Sequence, residues 1–246
     1  MVRVVLFWGG LAVVTAVLGT LAIVTRLVDR RGTVIQRYSR AWGRAGLWLA
    51  GSRADLSAAA GAAPAVPPGS VIVSNHQSTM DIFAIASALP GQLRWVAKRE
   101  LFRIPIFGPA MRAAGYVPID REDPRRSRRG LSRAAEALAQ GASLVVFPEG
   151  TRSADGRLGP FKRGAFALAQ ASRAPVVPVA VRGSRAVLPA GRWRVRPGRI
   201  EVVVGRPIPS ADLSQPDLVV RAREAVAALL GQDAQAAAPA TAAASP

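Results

Sequence analysis

The segment Val71-Ile72-Val73-Ser74-Asn75-His76-Gln77-Ser78-Thr79-Met80-Asp81 passes from an apolar run through a polar loop to a helix start. Val71 to Ser74 is short and β-branched, the signature of a buried strand. Thr79 to Leu89 is apolar with an acid at its third position, and it reads as a helix. The polar loop therefore sits at the carboxyl end of a strand, where α/β sheets gather their sites. His76 is the one histidine in 246 residues, and Asp81 follows it five positions on. Taken alone, that pair admits two readings. His76 caps a helix or fills a polar corner, or it is a general base whose tautomer and positive form Asp81 stabilises. Asn75, Gln77 and Ser78 shape the turn around it.

Working outward, Leu144-Val145-Val146-Phe147 is a second apolar run, and its carboxyl end carries Phe147-Pro148-Glu149-Gly150-Thr151-Arg152-Ser153. Strands are further expected at Arg94–Lys98, Tyr116–Ile119, Val176–Val181 and Ile200–Val204. Helices are expected at about Arg129–Gln140, at 161–171 and from near Pro216. This alternation predicts an α/β sandwich, a mixed and partly parallel sheet flanked by helices.

The arrangement of His76 and Asp81 resembles the His-x4-Asp motif of the glycerolipid acyltransferases, and the 147–153 segment resembles the same family's Phe-Pro-Glu-Gly-Thr-Arg-Ser motif. Between them, Lys98-Arg99-Glu100-Leu101 with Ile104-Pro105 and Gly108, then Gly115 through Ile119-Asp120-Arg121, is similar to the family's second block. Val177-Pro178-Val179 is similar to its fourth. The resemblance covers roughly residues 65 to 210 and is nearest to the bacterial 1-acyl-sn-glycerol-3-phosphate acyltransferases.

It implies an enzyme that moves a fatty acyl group from an acyl thioester to the free sn-2 hydroxyl of lysophosphatidic acid, giving phosphatidic acid for phospholipid synthesis. It also implies His76 and Asp81 as the catalytic pair and Lys98, Arg121, Glu149, Gly150, Thr151 and Arg152 as substrate-binding residues. Arg152 and Lys98 are the implied phosphate ligands, with Arg121 a third. Glu149 either meets the acceptor's glycerol hydroxyl region or organises its loop. Acyl-coenzyme A and acyl carrier protein both remain open as donor, and another lysolipid remains open as acceptor. A non-catalytic protein that binds a membrane surface or nucleic acid is the reading from a different class.

Composition narrows the chemistry. Without cysteine there is no thiolate nucleophile, and no Gly-x-Ser-x-Gly elbow is present, so transfer is expected to be direct, with no covalent acyl-enzyme. One histidine and no cysteine are too few for the usual zinc ligand sets. No metal and no cofactor beyond the thioester co-substrate is expected.

The net charge is +18, and all but two of the 33 basic residues, Lys98 and Lys162, are arginine. Such an excess attracts polyanions. Residues 94 to 133 hold eleven basic and four acidic side chains, yet no base-stacking aromatics or zinc-finger spacing accompany Arg125-Arg126-Ser127-Arg128-Arg129. The expected anions are lipid headgroups or coenzyme A phosphates, with no nucleic-acid partner.

Val4 to Thr25 is uncharged for 22 residues, long enough for a membrane helix and longer than the apolar core of a signal peptide. Arginines at 26, 30, 31, 37, 40 and 44 follow it, which predicts a cytoplasmic catalytic domain at the plasma or inner membrane. Trp42, Leu47, Trp48 and Leu49 among arginines predict a second, amphipathic helix at headgroup level. The organisation expected is membrane-anchoring helices over 1–57, a Pro-containing linker over 58–69, an acyltransferase domain over 70–232, and a disordered Ala-rich tail over 233–246.

Overall fold

The computed structural model of the chain describes residues 1–29, 31–119 and 124–232, without the side chains of 124–129. Arg121 and the tail 233–246 therefore lie outside the described residues. Seven strands are described: β1 (Arg53–Ala58), β2 (Val71–Ser74), β3 (Leu93–Lys98), β4 (Val117–Ile119), β5 (Ser143–Val146), β6 (Val176–Arg182) and β7 (Arg199–Val204). They form one sheet in the order β1-β7-β6-β2-β5-β3-β4. Only β6 and β7 pair antiparallel; the other neighbours run parallel.

The central strands are apolar along their length because helices cover both faces. Ile72, Val145 and Val177 point to one side, where α3 (Met80–Ala88) buries Met80, Phe83 and Ile85. Val71, Val73, Leu144 and Val176 point to the other. There they meet Ala134 and Leu138 of α5 (Pro124–Ala139), Phe166 of α6 (Gly164–Ala171) and Leu218, Ala222 and Val226 of α8 (Gln215–Leu230). Alternation of period two thus divides each strand between two cores. Ser214 caps α8 by accepting from the Asp217 N–H, and Gly231 ends it in the left-handed conformation, as capping rules expect.

The first strand was not foreseen. Arg53-Ala-Asp-Leu-Ser-Ala lies in the stretch assigned to anchoring helices, yet it forms an edge of the sheet beside β7. Its signal is weak because an edge strand needs only one modestly apolar face, here Ala54 and Leu56. Side chains complete its seat: Arg199 donates to Asp55 at 3.2 Å, and Ser57 donates to Glu201 at 2.7 Å.

The N-terminal helices are α1 (Val2–Thr25) and α2 (Thr33–Leu49). Helix α2 is amphipathic as expected, with Arg37, Arg44 and Trp48 exposed, but its inner face is core. Gly43 and Gly46 let it close on α3, where an added Cβ would lie 2.8 Å from the Phe83 carbonyl and 2.5 Å from the Phe83 ring, respectively. Helix α1 is held at both ends and in the middle. Trp8 donates to the Trp193 carbonyl at 3.0 Å, Trp42 donates to the Thr15 hydroxyl at 2.9 Å, and Thr25 and Tyr38 share a hydrogen bond of 3.3 Å. Gly19 rests against Ile106, just before α4 (Phe107–Ala113). The outward face of α1, including Leu6, Val13, Val17 and Val24, is exposed and largely apolar.

Candidate active site

Strands β2 and β5 are adjacent and parallel, so the loops after them, 75–79 and 147–153, emerge together at one edge. Strand β3, next to β5, brings Lys98 to the same edge. At the end of β2, buried Asn75 extends the sheet with its side chain, donating to the Val181 carbonyl at 2.9 Å and accepting from its N–H at 2.8 Å. The backbone of His76 is then fixed from both sides by the second motif. Its N–H donates to Glu149 Oε1 at 2.8 Å, and its carbonyl accepts from the Ser153 N–H at 2.7 Å.

The imidazole is fixed as well. Nδ1 lies 2.9 Å from Asp81 Oδ2, and the ring stacks on Phe147 with centroids 3.9 Å apart and planes 7° from parallel. Asp81 is fully buried. Its Oδ2 also accepts from the N–H groups of Gln77 and Ser78 at 2.7 and 2.8 Å, and the carboxylate occupies the first turn of α3, where the helix dipole favours an anion. Ser78 locks the same turn, donating to the Leu188 carbonyl at 2.6 Å and accepting from the Met80 N–H at 3.0 Å. This arrangement commits Nδ1 to the aspartate and leaves Nε2 as the nitrogen free to exchange a proton.

His76 lines a cavity of about 680 Å³. Lys98, Glu100, Gly150, Thr151 and Arg152 line its polar end, and Arg152 donates to the Thr79 hydroxyl at 3.0 Å. The remainder is largely apolar, walled by residues of α1, α2 and α4 such as Leu18, Trp42, Phe107 and Met111. This wall was not legible in the motifs themselves, because it assembles from α1, α2 and α4, which lie well outside both of them in the chain.

Of the expected site residues, the structure brings His76, Asp81, Lys98, Gly150, Thr151 and Arg152 together; Arg121 is outside the described residues. Glu149 is beside them but does not line the cavity. It is buried, and its second oxygen accepts from the Gly159 N–H at 2.9 Å. Its two oxygens thus tie the backbone of His76 to the 159 loop. Burial pushes its carboxyl above the usual range, against the pull of those two N–H donors. Phe147 and Thr79, which touch the imidazole and Arg152, were legible only as motif and helix-start positions. Among the described residues, no three His, Cys, Asp or Glu side chains gather as a metal site requires.

Comparison with known proteins places this geometry. Residues 63–182 match the Acyltransferase family model. A chloroplastic 1-acyl-sn-glycerol-3-phosphate acyltransferase of Brassica napus is 44% identical over 139 residues, which is 56% of this chain and 40% of the relative. The alpha form of that acyltransferase from Bos taurus is 36% identical over 172 residues, 70% of this chain and 59% of the relative. The chain thus spans roughly half the length of the curated relatives it matches. The crystal structure of the 1-acyl-sn-glycerophosphate acyltransferase PlsC from Thermotoga maritima superposes with a TM-score of 0.77 at 25% identity, covering 94% of this chain and 95% of that one.

Proposed function

As a chain carrying an acyltransferase-family domain across residues 63–182, this protein, we propose, transfers a fatty acyl group from a thioester to the sn-2 hydroxyl of lysophosphatidic acid, producing phosphatidic acid. The observation that carries the reading is the His76–Asp81 pair at 2.9 Å, with the imidazole lining a cavity whose polar end holds Lys98 and Arg152.

In the mechanism that follows, His76 Nε2 takes the proton of the acceptor hydroxyl as its oxygen attacks the thioester carbonyl. Asp81 stabilises the imidazolium so formed. Collapse of the tetrahedral adduct breaks the carbon–sulfur bond, and the imidazolium returns its proton to the departing thiolate, leaving ester, thiol and neutral histidine. The stacked Phe147 and the two backbone bonds to His76 hold the base in place, so alignment is largely settled before substrate arrives. Arg152 offers two parallel N–H groups to a phosphate, and Lys98 adds a second positive charge. The apolar wall accepts an acyl chain, and coenzyme A or a carrier protein is the leaving thiol.

The same geometry supports a membrane setting. Helix α1 is about 36 Å long at 1.5 Å per residue, and it is packed against the domain from Trp8 to Thr25. Were it to cross the bilayer upright, α2 with its exposed arginines would be drawn into hydrocarbon. Placement within one leaflet, apolar face outward, avoids that cost. Leu101 at the cavity, with Ile104 and Ile106 nearby, extends the exposed apolar surface and gives lipid substrates a route from the membrane. The membrane is proposed to be the plasma or inner membrane, with the domain on its cytoplasmic side.

An acceptor panel tests the reading. Acyl-coenzyme A with lysophosphatidic acid is expected to yield phosphatidic acid, and lysophosphatidylcholine or lysophosphatidylethanolamine much less product. Arg152→Ala should raise the KM for lysophosphatidic acid with little change in kcat. A KM increase as large for an acceptor without phosphate would remove Arg152 from its role.

A further inference from the structure

Three of the five tryptophans are solvent-facing at one end of the molecule, and neither the core nor the cavity accounts for them. Trp8, Trp48 and Trp193 are 39%, 78% and 50% exposed. Trp193 belongs to the segment Pro189-Ala-Gly-Arg-Trp-Arg-Val-Arg-Pro197, which joins the short helix α7 (Ser184–Val187) to β7. Its carbonyl accepts from the Trp8 indole, so the segment meets α1. Pro197 packs against Gly51, three residues beyond Trp48, and Leu49 of α2 packs against Gly10 of α1. The three indoles therefore flank the same end of the α1/α2 pair.

The segment is held in a defined shape. Val195 is buried, the Arg196 N–H donates to the Val187 carbonyl at 2.9 Å, and the Arg192 N–H donates to the Pro189 carbonyl at 3.1 Å. With Val195 turned inward, Arg192, Trp193, Arg194 and Arg196 all face out. The Arg194 guanidinium lies 5.5 Å from the Trp193 ring. No acidic residue occurs between 188 and 198, so the segment itself carries three positive charges and no negative one around an exposed indole. Indoles favour the boundary between hydrocarbon and headgroups, and guanidinium favours phosphate. A patch of that chemistry, continuous with the apolar outer face of α1, matches the headgroup layer of an anionic bilayer.

We propose that residues 189–197 form a second membrane contact, with Trp193 inserted at headgroup depth and Arg192, Arg194 and Arg196 paired with lipid phosphates. The inference rests on the reading of α1 as lipid-facing. Together with Trp8 and Trp48, the segment fixes one end of α1 at the interface. Helix α1 is thereby held along the membrane plane, and the cavity keeps a constant depth.

The chain has no cysteine, so Trp193→Cys and Val13→Cys each introduce a single thiol for an environment-sensitive fluorophore on the full chain. Residue 193 keeps its backbone bond to Trp8 in the first variant. The proteins are reconstituted in phosphatidylcholine vesicles with and without phosphatidylglycerol, and quenching is read with nitroxide lipids labelled near the headgroup and with aqueous iodide. The expected result is strong lipid quenching at both positions. That at 193 should fall several-fold when phosphatidylglycerol is omitted, or when Arg192, Arg194 and Arg196 are all changed to Gln. Lipid quenching at 13 with iodide quenching alone at 193 would overturn the second contact and leave α1 lipid-facing. Iodide quenching alone at both would overturn the two together. Quenching at 193 that ignores anionic lipid and the arginines would overturn the phosphate pairing.

Discussion

Asp81 concentrates three hydrogen bonds on a single oxygen: the His76 ring and the N–H groups of Gln77 and Ser78. An asparagine oxygen can accept from the same two N–H groups, but it carries no charge to stabilise an imidazolium. Asp81→Asn is therefore expected to lower kcat strongly while leaving acceptor KM nearly unchanged, which steady-state kinetics will show. Glu149 presents the opposite case, a buried carboxylate bonded only to the protein. In Glu149→Gln the amide nitrogen would face one of two backbone donors, and a buried donor left unpaired costs about 1–3 kcal/mol. The pH dependence follows from the raised carboxyl. A folded-state pKa above the unfolded value gives a stability contribution that is complete below the ordinary glutamate range and is lost as pH rises through the folded value. Thermal melts should therefore show the wild-type advantage over Glu149→Gln narrowing from acid toward neutral pH; widening would contradict the assignment. The histidine and its partner were legible because a lone histidine five residues before an acid is a spacing. The partners of Glu149 were not legible there, since they are backbone N–H groups at positions 76 and 159 and backbone leaves no pattern in a sequence.

At the scale of elements, close approach of helices depends on three glycines. Gly43 and Gly46 admit α3 to α2, and Gly108 in α4 lies so near the Phe102 carbonyl that an added Cβ would be 2.2 Å from its oxygen. Those obstacles include backbone at 43 and 108, which cannot rotate aside. Gly43→Ala and Gly108→Ala are each expected to destabilise the fold by about 1–3 kcal/mol, read as lowered melting temperatures, whereas Gly9→Ala, helical and with open space around it, should be slightly stabilising. The central strands were legible from Val71–Ser74, Leu144–Val146 and Val176–Val181, since a strand buried on both faces is apolar throughout. Strand β1 was not, because Arg53, Asp55 and Ser57 take the outer face of an edge and leave only Ala54 and Leu56 as signal. The inner face of α2 was hidden for a related reason: glycines at a helix contact look like helix breakers when the partner helix is unknown.

At the scale of the molecule, α1 is built into the domain. Thr15, Leu18, Gly19 and Ala22 form part of the cavity wall, and Phe7 is buried in the main core. Removing residues 2–28 is therefore expected to abolish most acyl transfer even in detergent micelles, where holding a bilayer has no value; an unchanged rate in detergent would reduce α1 to a tether. Its length and lack of charge were legible, but the way it lies along the domain was not, because the contacts at Trp193, Tyr38 and Ile106 come from distant parts of the chain. The central claim is that His76 is the base in direct transfer. It is tested most directly by comparing purified wild type with His76→Ala, matched for melting temperature, in transfer from acyl-coenzyme A to lysophosphatidic acid. A fall of about 10²–10⁴-fold in kcat, the usual worth of a general base, is the expected result. Phosphatidic acid formed by both proteins at comparable rates would show that the reaction does not depend on His76.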